Sequence, residues 1–250
     1  MNLSNIQPIN MIPALFLKDL KVLVIADIHI GIDSEFNEKG INVTDSSKKL
    51  MENIVTLIKK YKPKEMILLG DIKHNIPRFS IKERTDVKKF LRSISELAIV
   101  HIIPGNHDGN IKWLTPENIK IHSSKGFILK NIGFIHGHCW PKEEIMRTEQ
   151  IIMGHTHPSV EFVDRLEYRT YEPCWLKGYF NKKLLNKKYP NSKNPELLVI
   201  PAFNPLCGGV AINRQGFMGP IGKIIDIENI EIYLLDGTSL GKVKTLKKSS

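Results

Sequence analysis

The feature that most constrains the fold is a pattern repeated along the chain: an apolar run that breaks off into polar, metal-competent residues. "VLVIADIHIG" ends in Asp27 and His29, "EMILLGDIKH" in Asp71 and His74, and "LAIVHIIPGNHD" in Asn106 and His107. Two later segments repeat it, "GFIHGH" with His136 and His138 and "IIMGHTH" with His155 and His157. Short apolar runs of this kind read as buried strands. Within a layered α/β fold, the loops at the carboxyl ends of such strands are where a site is usually built.

The segments between the early runs read as helices. Leu50, Ile54, Leu57, Ile58 and Tyr61 mark one apolar stripe. Ser80 and Glu83 have capping-box spacing ahead of a second stripe at Val87, Phe90, Leu91, Ile94 and Leu97. "ALFLKDLKVLVIAD" reads as two strands about a Lys18-Asp19 turn, and short strands dominate from "GFILKNIGFIHG" through "QIIMG", "VEFVD", "ELLVIPAF" and "IEIYLL". Strand and helix alternating first, then mostly strand, predicts a layered α/β fold with one core, and 250 residues suit a single domain.

The formal charge of +10 favours anionic partners such as phosphates or nucleic acid. Its densest expression is Lys177 to Pro195, with six lysines, no acid, and Tyr179, Phe180 and Tyr189 among them. This segment reads as a basic surface insertion at about 177–195. Cys139, Cys174 and Cys207 form no C-x-x-C pair, which argues against a disulfide framework and for a reducing, cytoplasmic home. Prolines and polar residues interrupt the uncharged N-terminal stretch, so it reads as neither signal peptide nor membrane span. No membrane partner is expected.

Each motif alone has an ordinary reading as a cap, a turn or a loop histidine. Together they do not, because seven of the nine histidines fall in or beside five strand-end motifs, with only His101 and His122 outside. In extended chain, residues i and i+2 face one side, so Asp27 and His29 can reach one ion. Imidazoles, carboxylates and an amide without thiolates make a borderline-hard ligand set, suited to Mn, Fe or Zn better than Ca.

The ordered motifs D-x-H, G-D, G-N-H-D, H-G-H and G-H-T-H resemble the calcineurin-like metallophosphoesterase superfamily, from about Ala14 to Gly209. "ADIHIG", "GHTHPSVEF" and "VIPAFNPLCGG" are similar to a narrower branch, the archaeal SbcD-related phosphoesterases close to the ligase-associated bacterial DNA endonucleases. The resemblance implies a layered α/β/β/α sandwich and two divalent metal ions, manganese first and iron or zinc as alternatives. It implies that Asp71 bridges them, that Asp27, His29 and His157 complete one ion's ligands, and that Asn106, His136 and His155 complete the other's. His107 would face the scissile phosphate and serve the leaving group. His74 and His138 sit beside ligands, either as outer-shell or phosphate contacts or as plain loop histidines.

Two ions roughly 3.5–4 Å apart lower the pKa of a bridging water, whose hydroxide is the expected nucleophile, and neutralise charge building on the phosphoryl oxygens. The expected activity is hydrolysis of a phosphoester, a phosphodiester first, as in a DNA-repair-related nuclease. Lys182, Lys183, Lys187 and Lys188 would then contact the nucleic-acid backbone and nearby aromatics could stack on bases. The alternative substrate is a small-molecule or cyclic-nucleotide diester, because little chain follows the last motif to form a DNA-capping domain. A further alternative is a non-catalytic interaction module, which the same fold supplies in one retromer subunit. The thiols Cys174 and Cys207 read as buried and inert, and Trp140 as a pocket residue.

Overall fold

Six strands, β1 (Ile6–Pro8), β2 (Ala14–Leu17), β3 (Val22–Ile25), β4 (Glu65–Leu68), β5 (Ile99–Ile102) and β6 (Lys120–Ile121), form one sheet in that order. They belong to a computed structural model that describes residues 6–43, 46–77 and 80–248. β2 and β3 are the antiparallel hairpin about Lys18-Asp19, and β3 to β6 run parallel. The crossovers carry α1 (Ile32–Glu38), α2 (Ser46–Tyr61) and α3 (Ile81–Ser95).

The second sheet contains β7 (Phe127–Leu129), β8 (Ile132–Ile135), β9 (Gln150–Met153), β10 (Pro158–Val163), β11 (Arg169–Gly178), β12 (Glu196–Val199), β13 (Val210–Ala211), β14 (Glu231–Leu234) and β15 (Ser239–Lys242). Its order is β13-β10-β11-β12-β9-β8-β7, with β14 paired to β11 and β15 to β14. α4 (Lys182–Lys188) follows β11, and α5 (Val243–Lys248) closes the described chain.

Side-chain alternation explains why the strands read as unbroken apolar runs. Leu23, Ile25, Met66 and Leu68 face α2 and α3, whose Ile54, Ile58, Phe90 and Leu91 join the same core. Their neighbours Val22, Val24, Ile67 and Leu69 face the other way, against Phe134, Ile152, Trp175 and Leu198 of the second sheet. Ile151, Met153, Leu197 and Val199 point outward into a third core with Leu185 of α4 and Val243 of α5. Both faces of each central strand are thus buried, and the architecture is an α/β/β/α sandwich in a single domain. Trp175, buried between the sheets, would cost about 3–5 kcal/mol to replace with alanine.

Some details depart from the sequence reading. Ser80 does cap α3, accepting from Glu83 N at 3.1 Å, but the Glu83 carboxylate does not return to the cap. It accepts instead from the backbone N–H groups of His74 and Asn75 and from the Asn75 side-chain amide, tying α3 to the loop after β4. The 177–195 segment has exposed lysines on one side only. Phe180, Leu185 and Tyr189 are buried in the third core, so of its three aromatics only Tyr179 is exposed and free to stack. Trp113 is exposed, Trp175 is core, and Trp140 lines a surface cavity of about 740 Å³. The ten-residue β11 carries no apolar run over its first half, which is polar and exposed. No helix among the described residues is long and apolar enough to cross a membrane.

Candidate metal centre

The motif residues converge through strained loops rather than through extended strand. Asp27, His29, Asp71, His155 and His157 have φ of 55°, 46°, 50°, 70° and 45°. They are five of the 12 non-glycine residues with positive φ among the described residues. Each such backbone costs of order 1–3 kcal/mol and persists only where its surroundings dictate it. The expectation that extended geometry brings Asp27 and His29 together is therefore corrected: both lie beyond β3, in left-handed conformation, and still face one site. Gly70 (φ 74°) and Gly105 permit the close approach. A Cβ at Gly70 would overlap the His136 ring, and one at Gly105 would overlap Asp71 Oδ1.

Potential ligand atoms of Asp27, His29, Asp71 and His157 all lie within 4.8 Å of one another, and so do those of Asp71, His136 and His155. Asp71 belongs to both groups. Its Oδ2 lies 3.6 Å from His29 Nε2 and 3.3 Å from His136 Nε2, while Oδ1 accepts from His107 N at 2.8 Å. Asn106 Oδ1 is 3.3 Å from His136 Nε2, on the side of the second group. Asp27 accepts from His155 N at 3.0 Å and lies 3.3 Å from His157 Nε2. The two sets implied by the resemblance are thus brought together. The described geometry leaves His138 outside both: its ring is 5.2 Å from that of His136 and 6.1 Å from that of His155.

Hydrogen bonds behind the imidazoles set which nitrogen is available. His136 Nδ1 donates to the Leu69 carbonyl at 2.8 Å, so Nε2 is the atom turned to Asp71 and Asn106. On the other side Glu35 Oε2 accepts from His74 Nε2 at 2.6 Å. His74 Nδ1 must then accept, and the His29 Nδ1 3.2 Å away must donate. His29 Nε2 is left with its lone pair toward Asp71. This carboxylate–histidine–histidine order is the kind of outer arrangement that fixes a ligand's tautomer. His107 Nδ1 donates to the His74 carbonyl, which leaves its Nε2 as the atom available to a substrate.

The donor set fits a pair of divalent cations. The buried nitrogens His29 Nε2 and His157 Nε2 have no hydrogen-bond partner. Each would cost about 1–3 kcal/mol if left so, and a cation satisfies both while neutralising the buried carboxylates Asp27 and Asp71. The charge states agree. Burial pushes His29 down to about 3, and burial with the His136 charge pushes His155 down to about 4, so both are neutral and able to ligate. For His136 burial acts downward, but the hydrogen bond and charge of Asp71, with the charge of Asp27, outweigh it and raise the group to about 9. For Asp27 burial acts upward, and the charges of His157 and His136 outweigh it to hold the carboxyl below its usual range. In the ion-free protein, protons therefore occupy part of the place a metal would take.

The family model for calcineurin-like phosphoesterases matches residues 20–206. The chain belongs to that family. Among solved structures, that of the Pseudomonas putida nuclease MPE superposes with a TM-score of 0.57 at 17% identity, covering 95% of this chain and 100% of that one. That of Yfce, a phosphoesterase from E. coli, aligns at a TM-score of 0.40 and 14% identity, covering 88% and 97% of the two chains. The first likeness is one of fold. As a calcineurin-like phosphoesterase the protein is a hydrolytic enzyme.

Several residues of this phosphoesterase shape the site without being among the expected ligands. Asp108 is buried and accepts from Ile72 N at 2.9 Å and Gly105 N at 2.9 Å, clamping the loop after β4 to the loop after β5. Glu35, the last link behind His29, lies on α1, a helix with no apolar stripe long enough to announce it. Gly219 packs against His155 from beyond the region of resemblance, where a Cβ would lie 3.1 Å from that ring. Cys174 is buried, and Cys207 Sγ comes within 4.8 Å of His29 and His157 ring nitrogens. Burial, then the charges of Asp27 and Asp71, push the Cys207 thiol up, which keeps it protonated despite its position. Lys182, Lys183, Lys187 and Lys188 lie exposed along α4, with Lys188 Nζ 3.9 Å above the Trp140 ring, two residues from His138.

Proposed function

We propose that this calcineurin-like phosphoesterase hydrolyses phosphodiester bonds at a two-metal centre, with nucleic acid or its fragments as substrate. The observation that carries the reading is the double membership of Asp71, one carboxylate common to two ligand groups. Asp27, His29 and His157 would hold one ion, Asn106, His136 and His155 the other, and Asp71 both, with manganese first among the candidates. When bound, the ions would supply a nucleophile at neutral pH and neutralise phosphoryl charge.

The chain's own residues account for the rest. Asp71 keeps the two groups at a fixed spacing, held by the amide of His107. Glu35 and His74 orient His29. His107 presents Nε2 to the leaving oxygen and supplies a proton or a hydrogen bond there. His138, with a buried and unpaired Nδ1 beside the second group, is a candidate phosphate contact. A net charge of +10 and the α4 lysines beside Trp140 favour a polyanion, and three free cysteines favour a reducing cytoplasm.

A second reading, a small nucleotide or cyclic diester, draws on a different observation. The described residues after Gly209 complete the second sheet and its core and set Gly219 against the His155 ring, a close approach beside the second ligand group that suits a small diester. Turnover of single-stranded DNA measured beside cyclic nucleotides, with manganese added, separates the two. Cleavage of DNA supports the first reading, and cleavage confined to the cyclic esters replaces it with the second.

A further inference from the structure

A cavity of about 490 Å³ opens beside His157, between the 11–13 turn, the paired strands β10 and β11, and the 202–209 loop. Its size is within the range of small-ligand sites. His157 is among its lining residues, so the cavity borders the candidate metal centre. Pro158, Pro173 and Pro205 line it with apolar rings that carry no N–H, and Tyr171 forms part of the same wall.

Tyr171 is half exposed, yet it is not loose. Its hydroxyl donates to Glu161 Oε2 at 2.9 Å, and Glu161 Oε1 is met by Arg169 and by Arg214 at 3.1 Å each. Asn213 holds the Glu161 backbone from both sides, accepting from its N–H and donating to its carbonyl. Glu161 pairs with Tyr171 across the two strands, and Ser159 pairs with Pro173, so all four side chains share one face. An exposed aromatic ring fixed by a buried carboxylate is a stacking surface that loses little freedom when something lies against it.

Ser159, in the same wall, is buried and its Oγ has no hydrogen-bond partner. Gly209 packs against that hydroxyl, where a Cβ would lie 2.6 Å from it, so the Oγ is closed off from the cavity.

We propose that this cavity binds one nucleobase of the substrate, the base on the His157 side of the scissile phosphate. Tyr171 lies against its face. The inference rests on the phosphodiesterase reading and names the part of the substrate that the metal centre does not touch. Tyr171 is a specificity-determining residue, and a flat ring is the occupant for which a rigid phenol and three prolines are suited.

The test uses the manganese-loaded full chain and two diesters with the same leaving group: the p-nitrophenyl ester of thymidine 5′-monophosphate and methyl p-nitrophenyl phosphate. Tyr171→Ala should raise KM for the nucleotidyl ester by about 5- to 150-fold, the range that base–aromatic stacking gives on alanine substitution, and leave KM for the methyl ester unchanged. Tyr171→Phe should restore most of the loss. Equal effects on both esters, or none on either, overturn the cavity assignment while leaving the phosphodiesterase reading intact. If the wild-type protein cleaves neither ester, that reading fails instead. Equilibrium binding of thymidine 5′-monophosphate then still decides the cavity: binding weakened by Tyr171→Ala supports it, and unchanged or absent binding overturns it.

Discussion

The backbone amide of His107, not its side chain, donates to Oδ1 of Asp71 at 2.8 Å. The residue proposed to serve the leaving group therefore also holds the shared carboxylate, through an atom that every amino acid except proline possesses. The two roles can be separated. His107→Ala should keep the full metal content and lose rate, most strongly on esters with poor leaving groups, because a departing nitrophenolate needs little help from an acid. A loss of about 10²–10⁴-fold on an alkyl ester beside a much smaller one on a nitrophenyl ester is the expected pattern. Equal losses on both would place His107 on the phosphate instead.

Glu35 has no contact with the metal groups, yet it sets the tautomer of His29 through His74. In Glu35→Gln the amide could donate to His74 Nε2, move the His74 proton to Nδ1, and deprive His29 of its acceptor. The expected result is an affinity for one of the two ions weaker by about 10- to 100-fold, the usual size of an outer-arrangement defect. Titration with manganese against a chelating dye reads this directly. Two unchanged affinities would show that the chain of hydrogen bonds does not act on the site.

Proton linkage at His136 has a definite sign. Its pKa in the folded, ion-free protein is raised to about 9 from an ordinary 6.5. The stability it contributes is therefore fully present below about 6.5 and is lost as pH rises through about 9. Metal affinity moves oppositely over the same window, because the ion displaces that proton. Manganese uptake at about pH 7.5 should release a proton, and excess manganese should shift the acid limb of activity, expected near about pH 6, to lower pH. Calorimetric titration in buffers of different ionisation enthalpy measures the release; identical heats in all of them would contradict it.

The α4 lysines test the polyanion reading. Changing Lys182, Lys183, Lys187 and Lys188 to Gln should weaken single-stranded DNA binding and reduce the log–log salt slope by about 0.7 for each phosphate that the protein no longer neutralises. Hydrolysis of a small activated diester should not change. Because Leu185 anchors the opposite side of the helix, the substitutions should not unfold it. An unaltered slope would make these lysines an ordinary solvated surface.

The layers were legible in the sequence because both faces of β3, β4, β9 and β12 are covered, which leaves runs such as "VLVI" and "LLV" without a polar position. The first half of β11 and helix α1 were not, since each is exposed or short and carries no such run. The ligand types were legible for a different reason: carboxylates and imidazoles gathered after buried strands have few structural uses. What spacing could not give was the geometry that unites them. Asp27 and His29 meet through left-handed backbone, Asp108 and Glu83 act through backbone amides, and the Glu35–His74–His29 order joins residues 39 and 45 positions apart. Such contacts depend on loop paths that a linear pattern does not encode. The aromatics of 177–195 misled for the converse reason: residues that look suited to stacking, Phe180 and Tyr189, are consumed by the third core.

The most direct test is to count metal ions. Wild-type protein and Asp71→Asn, each equilibrated with manganese, freed of excess and analysed for bound metal, should differ as the shared carboxylate requires. The wild type should hold two ions per chain with a magnetically coupled signal, and Asp71→Asn should keep its fold, lose at least one ion and lose the coupling. One ion in the wild type, or two coupled ions that survive the loss of the Asp71 carboxylate, would contradict the two-metal account.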